Sequence, residues 1–492
     1  MKKLVRLFSI LTVVSLIGSI VGLPDEPARS QSGTTWVTWL PMIRKNSPPP
    51  PTLFGATANP VRIRYGILQM RYANMYWTFA EDVLLWSEVE AVPGTYDWSA
   101  LLELENSLIL IQSLDMQPIV TVRSTPGWAQ DVPGYYCGRI KPTELVAFGN
   151  FMYELVLRYS QPPYNVKYWQ IWNEPDVAPS QGNQTSAWGC WGDVGDKYFG
   201  GGYYAKMLKT IYPRIKEADP SAQVMVGGLL LDCDPNNPPP GKTCHESRFL
   251  EGILKNGAEP YFDSISFHGY EYAFYDMNRD PQHPWNVKLG IYGNPNWSSN
   301  WDRESTVLGV KAAFIIQQFL TLGIPPKPLF VTEAAILCGS DSTPPGTPPC
   351  DSTPTSDFEL TKAYYLTRVY VDAFYHDIQG VLWFRALGWR NSNLLNSDLS
   401  PRPAYYALRT ARKALANSTI RSAKNTYPGV FGYVFDRGDR LVWVIWSLDG
   451  LPHPVDLPGV PLSSYDALGV TMNITSTLTV DVKPIYLEWP PR

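Results

Sequence analysis

Short β-branched runs alternate with helix-periodic stretches through most of this chain, and that alternation narrows the choice of fold more than any other feature. Parallel neighbours need a crossover between them, and a helix of a dozen residues is the usual one. Strand–helix–strand repetition therefore argues for a parallel sheet covered by helices. Strand-like runs stand at 53–56, 82–86, 118–122, 166–172, 224–230, 262–267, 328–332 and 380–384. Helical periodicity occupies most of the gaps, at 98–114, 143–159, 203–218, 249–255, 307–322 and 360–376. Eight strands of this kind close a (β/α)8 barrel, so the expected class is α/β. Long Pro/Gly-rich insertions at 176–202, 231–247, 270–305 and 334–357 all follow strands. Strand-to-helix loops lie on the C-terminal face of such a barrel, so the extra length should wall a cleft there.

The pattern changes after a helix at 404–415. Strand-like runs at 431–435, 441–446, 476–480 and 484–488 follow one another without helices, separated by turn formers such as Asp436-Arg437-Gly438-Asp439. This reads as a small C-terminal β-sandwich over 416–492, behind a barrel domain over 53–415. At the other end, Lys2, Lys3 and Arg6 precede an apolar run over 7–21. That is the charged region and hydrophobic stretch of a signal peptide within 1–30; left uncleaved, it would tether the chain to a membrane. A linker over 31–52 follows, and its Pro48 to Pro51 run favours extended polyproline geometry.

Six cysteines suit an oxidising compartment, and hence a secreted or extracytoplasmic protein. Cys233 with Cys244 and Cys338 with Cys350 each bracket one Pro-rich loop, which leaves Cys137 for Cys190. A net charge of −4 without any long single-sign run gives no electrostatic footprint for nucleic acid. The histidines at 245, 268, 283, 376 and 453 form no ligand-spaced pair, so neither a metal nor another cofactor is expected.

Two glutamates carry the chemistry. Glu174 stands in Trp172-Asn173-Glu174-Pro175-Asp176, just past the fourth strand, and Glu333 closes the apolar run of the seventh. Burial among aromatics at a strand end can raise a carboxyl pKa and keep an acid protonated. Two carboxylates facing one cleft are the minimum equipment for cleaving a glycosidic bond, one giving a proton to the leaving oxygen and the other attacking the anomeric carbon. Aromatics make up 13% of the chain, and flat apolar faces suit the CH-rich faces of sugar rings. Trp128, Trp188, Trp191 and Trp389 fall in loops and read as sugar platforms, whereas Glu88, Glu90, Asp176 and Glu271 read as structural or rim carboxylates.

The tract from Trp172 to Asp176 resembles the Asn-Glu-Pro signature of clan A glycoside hydrolases, a superfamily of (β/α)8 retaining enzymes. Trp86-Ser87-Glu88-Val89-Glu90 with Pro93-Gly94-Thr95-Tyr96-Asp97-Trp98, Ser124 to Ala129, Phe267-His268-Gly269-Tyr270 and Trp383 are similar to further segments of these enzymes, nearest to their xylosidase/iduronidase-like branch. The resemblance implies that Glu174 is the acid/base, Glu333 the nucleophile, and Asn173 a partner of the 2-hydroxyl of the sugar. It also implies that His268 and Tyr270 support the nucleophile and that Trp383 floors the sugar site. One departure stands out: the second strand lacks the arginine that orients the nucleophile in many relatives, so either Arg123 or Arg64 supplies that charge or hydrogen bonds alone hold the nucleophile. The expected activity is retaining hydrolysis of a β-linked oligo- or polysaccharide. Two rivals are a carbohydrate-binding pseudoenzyme, favoured by the missing arginine, and a transglycosylase.

Overall fold

The computed structural model describes residues 53–57, 79–113, 115–179, 189–275, 287–339, 350 and 354–491. The charged and apolar stretch at 1–30, the linker at 31–52, Arg64 and Trp188 lie outside the described residues. In chain order the first part of the molecule contains β1 (Phe54–Thr57), β2 (Phe79–Leu85), α1 (Leu102–Ser113), β3 (Gln117–Arg123), α2 (Leu145–Tyr159), β4 (Tyr168–Asn173) and α3 (Gly201–Ala218). Then come β5 (Gln223–Leu229), α4 (Phe249–Lys255), β6 (Ser264–Tyr275), β7 (Val287–Asn294), β8 (Ser299–Asn300), α5 (Val307–Thr321), β9 (Leu329–Leu337), α6 (Ser356–Tyr375), β10 (Ile378–Phe384) and α7 (Pro403–Leu415).

Strands β1 to β6 pair in sequence, β6 pairs with β9, β9 with β10, and β10 returns to β1, every pair parallel. The result is a closed eight-stranded (β/α)8 barrel. Several of its strands exceed the runs read from sequence, β9 by continuing past 332 to Leu337. β2 begins at Phe79 rather than 82, and β6 runs on past 267 to Tyr275. Its outer half leaves the barrel and pairs antiparallel with β7, which in turn pairs with β8, so part of the 270–305 insertion is sheet.

The barrel interior is built in layers by strict alternation. Ile119, Met225, Phe330 and Leu382 form an apolar floor, with Tyr168 packed against it. Two residues further along the same strand faces the layer turns polar. Thr121 donates to Glu81 at 2.6 Å, Gln170 donates to Thr121 at 2.9 Å, and Ser266 donates to Gln170 at 2.8 Å. Thr57 lies 3.4 Å from the other Glu81 oxygen and 3.3 Å from the Thr332 carbonyl. A hydrogen-bonded belt thus separates the floor from the mouth.

Beyond α7 the chain forms β11 (Thr419–Ala423), β12 (Val430–Asp436), β13 (Leu441–Ser447), β14 (His453–Asp456), β15 (Ser463–Asp466), β16 (Thr477–Val480) and β17 (Ile485–Trp489). Five of them make one antiparallel sheet in the order β11-β12-β13-β17-β15, and β14 pairs with β16, giving a small sandwich. Three strands, β11, β14 and β15, have no counterpart among the runs read from sequence; they are four or five residues long and mostly exposed or half-buried, so the apolar alternation is missing. The sheet face carrying Tyr433, Phe435 and Trp446 covers the end of α6. Phe374 meets Phe435 at 5.5 Å between ring centres, Tyr375 meets Tyr433 at 5.0 Å, and Arg368 lies 4.8 Å over Trp446. Among the described residues no helix is long and apolar enough to cross a membrane.

All three cysteine pairings read from sequence are present. Cys137–Cys190 joins the loop after β3 to the loop after β4 across 53 residues of sequence. The carbonyl of Cys137 accepts from Cys190 N at 3.0 Å and from the Trp172 indole, also at 3.0 Å, so this bridge braces the end of β4. Replacing both cysteines by serine should cost about 4 kcal/mol, because a loop of that length regains its closure entropy when unfolded. Thermal unfolding of the double variant checks this: Tm falls well below that of the parent, and an unchanged Tm would show that the bridge adds nothing.

Candidate active site

The mouth of the barrel gathers the groups singled out in the sequence, and local departures from regular strand geometry aim them. Along β9, Phe330 faces the floor, so strict alternation would turn Glu333 outward. The ladder slips by one residue here: Val331 pairs with Phe267, but Glu333 pairs with His268. A bulge at Thr332 therefore returns Glu333 to the interior face. β4 solves the same problem by twisting its backbone. Tyr168 and Gln170 face inward, yet Trp172, at φ +74°, packs outward against Phe148 and Trp191. Glu174, at φ +45°, then points into the mouth. Backbone of this kind costs about 1–3 kcal/mol per residue and persists where its surroundings fix it.

Three side chains converge as a result. His268 Nδ1 lies 2.8 Å from Glu174 Oε1 and 3.5 Å from Glu333 Oε2. One oxygen of each glutamate and the ring nitrogen all lie within 4.8 Å of one another. Tyr270 donates its hydroxyl to Glu333 Oε2. His268 is wholly buried, and a Cβ on Gly228 of β5 would collide with its Nε2, so only glycine lets the neighbouring strand pass this ring. Behind the site, Lys311 of α5 donates to the carbonyls of Leu230 at 2.6 Å and His268 at 2.8 Å. Asp176 accepts from the backbone N–H groups of Leu230 at 2.9 Å and Leu231 at 2.8 Å. These buried ionic groups tie the ends of β4, β5 and β6 together.

Burial governs the electrostatics. It raises Glu174 above the usual carboxylate range, with Lys311 opposing, and it raises Glu333 too, opposed by His268 and reinforced by the charges of Glu174 and Glu81. Burial also lowers His268, opposed by the charge of Glu333, and pulls Lys311 down to about 8. Two carboxylates this close cannot both ionise freely, so the pair holds a proton at pH values where exposed carboxyls have lost theirs. The Tyr270 hydroxyl, donating to Glu333, favours charge there, as Lys311 does on Glu174.

Glu174, His268 and Glu333 are also a set whose donor atoms could reach one cation together. Their separation in sequence hides this from any search for spaced ligands. In this structure His268 Nδ1 is hydrogen-bonded to Glu174 at 2.8 Å.

The remaining expectations divide. Arg123 closes β3, half-buried on its inward face; burial lowers it, and the charges of Glu81, Glu333 and Glu88 oppose that shift. Val83, on the inward face of β2, is 42% exposed. Asn173 closes β4, half-buried and paired with Gly228. Trp389 is 42% exposed and stands edge-on to Tyr270 at 5.7 Å, as a rim platform would.

Trp383 is a correction. It was expected to floor a sugar site, yet it is fully buried on the outer face of β10, its indole N–H held by the Ser392 carbonyl at 2.8 Å. Leu382 belongs to the barrel floor, so alternation sends Trp383 outward and Phe384 inward. Phe384 packs perpendicular to Trp389 at 5.1 Å and to Tyr270 at 6.2 Å, and is the aromatic that β10 contributes to the mouth. Trp191, 1% exposed, is core rather than platform. Trp128 is half-buried against Trp86 and spends its indole N–H on the Glu90 carbonyl at 2.8 Å. Glu90 and Glu271 are structural: Glu90 accepts from the Trp86 indole at 2.7 Å and Gly94 N at 2.8 Å, Glu271 from Ser299 Oγ at 2.5 Å. Glu81 was missed altogether, because the strand read from sequence began one residue later.

No protein-family model and no curated protein sequence matches the chain. Its fold does have solved counterparts. It superposes on a family 39 glycoside hydrolase from the gut symbiont Bacteroides cellulosilyticus WH2 with a TM-score of 0.62 at 19% identity, over 89% of this chain and 80% of that one. A conserved exported protein from Bacteroides fragilis gives 0.60 at 11% identity, over 89% and 97%. A family 30 subfamily 8 xylanase from Clostridium acetobutylicum gives 0.56 at 12% identity, over 90% and 97%. At these identities the likeness establishes the shared barrel-and-sandwich architecture.

Proposed function

We propose that this chain is a retaining glycoside hydrolase of the clan A type, acting outside the cytoplasm on a β-linked oligo- or polysaccharide without a cofactor. One observation carries the reading: Glu174 and Glu333, distant in sequence, bring carboxylate oxygens within 4.8 Å of each other at the mouth of the barrel. Retaining enzymes separate their two carboxyl groups by about 5–5.5 Å, while inverting enzymes leave about 6.5–9.5 Å for a water molecule. In this reading Glu174 holds the proton and gives it to the departing glycosidic oxygen as Glu333 attacks the anomeric carbon. The glycosyl–Glu333 ester is then released by water, whose proton returns to Glu174. Tyr270 keeps Glu333 charged and oriented, His268 holds Glu174 on its other side, and Phe384 and Trp389 offer apolar faces to the sugar.

The three disulfides and the structural likeness to an exported protein support a location outside the cytoplasm. The xylanase among the structural counterparts makes a xyloside the first substrate to try.

The test is the stereochemistry of the first product. Proton NMR of a fresh digest of aryl β-glycosides, read before mutarotation, should show the β-anomer accumulating first. Initial release of the α-anomer would mean inversion and sink the proposal.

A further inference from the structure

Beyond β10 the chain takes a left-handed course at four successive residues. Gly388, Trp389, Arg390 and Asn391 stand at φ +62°, +122°, +46° and +58°. Glycine adopts such backbone freely, but three residues with side chains do so at a cost, and only where their surroundings fix them. Here the fixing runs from carbonyl to carbonyl. Trp389 O accepts from Ser392 N at 3.0 Å and from Ser392 Oγ at 2.8 Å, and Arg390 O accepts from Cys338 N at 3.4 Å. Ser392 O accepts the Trp383 indole N–H at 2.8 Å. Asn391 O and Asn393 O share one ammonium, that of Lys362 on α6, at 2.8 and 3.0 Å. Lys362 is wholly buried, and its charge is balanced by Glu359 at 3.0 Å, which also accepts from Arg402 at 2.8 Å. From the other side Arg390 donates its Nε–H, at 2.9 Å, and its Nη2–H to the Cys338 carbonyl, just past the strand that carries Glu333. Its guanidinium lies 5.8 Å over Tyr272 of β6 and 5.5 Å over Trp389.

We propose that Lys362 and Arg390 are positioning residues that hold this turn in its left-handed form and so present Trp389 to the substrate. The inference rests on the hydrolase reading of the site and names the part of the substrate concerned. β10 lies four strands from β4 round a ring of eight, so Trp389 stands across the mouth from Glu174. It stands beside Tyr270, the residue that holds Glu333. The leaving group departs on the acid's side. Trp389 therefore meets the sugar that becomes attached to Glu333, offering an indole that is 42% exposed and packs perpendicular to Phe384. A buried ammonium is a costly way to satisfy two carbonyls. Its role here is to fix a conformation that this backbone would otherwise leave, so that the platform needs no ordering when the sugar arrives.

A double-mutant cycle on KM, read with the fastest of a panel of 4-nitrophenyl β-glycosides, tests this. Trp389→Ala should raise KM by about tenfold, the contribution of roughly 50 Å² of apolar contact, with kcat within about twofold of the parent. Lys362→Met nearly keeps the side-chain volume and leaves Glu359 to Arg402; it should raise KM by about three- to tenfold, because the platform must now be ordered on binding. Added to Trp389→Ala it should change KM no further, since a turn without its indole has nothing to present. Arg390→Met, at a half-buried position, repeats the test should Lys362→Met fail to fold. Penalties that add, or a KM unmoved by both substitutions, would overturn the proposal. Amide hydrogen exchange read by mass spectrometry needs no turnover. The peptide spanning 388–393 should exchange faster in Lys362→Met by about tenfold or more, while the peptide holding Glu333 keeps the parent rate. Unchanged exchange at 388–393 would equally overturn the proposal. If the wild type cleaves none of the glycosides, the hydrolase reading fails by itself, and exchange still decides whether Lys362 holds the turn.

Discussion

Glu333→Gln lowers kcat by a factor on the order of 10⁴–10⁶, the usual consequence of removing a nucleophile that works as part of a unit. The substitution is nearly isosteric. The amide oxygen still accepts from Tyr270, and the bulge at Thr332 that aims position 333 belongs to the backbone ladder. Loss of a like charge beside Glu174 relieves a cost of burial, so the variant should unfold at a Tm no lower than the parent's. Its effect is chemical: an amide cannot attack the anomeric carbon, and no glycosyl ester forms. Steady-state kinetics on an aryl glycoside, with a thermal melt alongside, checks both halves. Turnover within about tenfold of the parent would remove Glu333 from the mechanism, since that is less than one general acid–base group contributes.

The second large effect depends on the leaving group. Glu174→Gln should slow hydrolysis of natural oligosaccharides by about 10²–10⁴, the range expected of a lost general acid. A 2,4-dinitrophenyl glycoside departs without a proton, so its first step should proceed at close to the parent rate. The intermediate then accumulates because nothing activates water. Azide, which needs no base, should restore turnover and give a glycosyl azide of the same configuration as the substrate. This split follows from the structure: Glu174 is held by His268 at 2.8 Å on one side and faces the mouth on the other, so its loss leaves Glu333 with Tyr270 in place. Equal slowing for both substrate types, with no response to azide, would assign Glu174 a structural role.

Much of this was legible in the sequence for a simple reason. The core of a parallel barrel strand is buried on both faces, so it reads as a continuous apolar run, and eight such runs stand out against helical periodicity. A glutamate that ends one of those runs is conspicuous, which is how Glu174 and Glu333 were found. Which way a side chain faces was less legible. It depends on register and on local twists that no residue announces: the slip at Thr332 that turns Glu333 inward, and the left-handed backbone at Trp172 that turns an indole outward. Trp383 and Phe384 are neighbours of similar character. Only the placement of Leu382 in the barrel floor tells which of the two enters the mouth. Glu81 was hidden by a boundary error of a few residues at the start of β2, and the sandwich strands β11, β14 and β15 by their brevity.

The whole account reduces to a covalent bond between one side chain and one sugar carbon. A 2-deoxy-2-fluoro β-glycoside with a good leaving group should inactivate the protein with a single equivalent of label, and mass spectrometry of a peptic digest should find that label on the peptide holding Glu333, at its side-chain carboxyl. Label on another residue, or steady turnover of natural substrate by protein left unmodified after prolonged exposure, would contradict it.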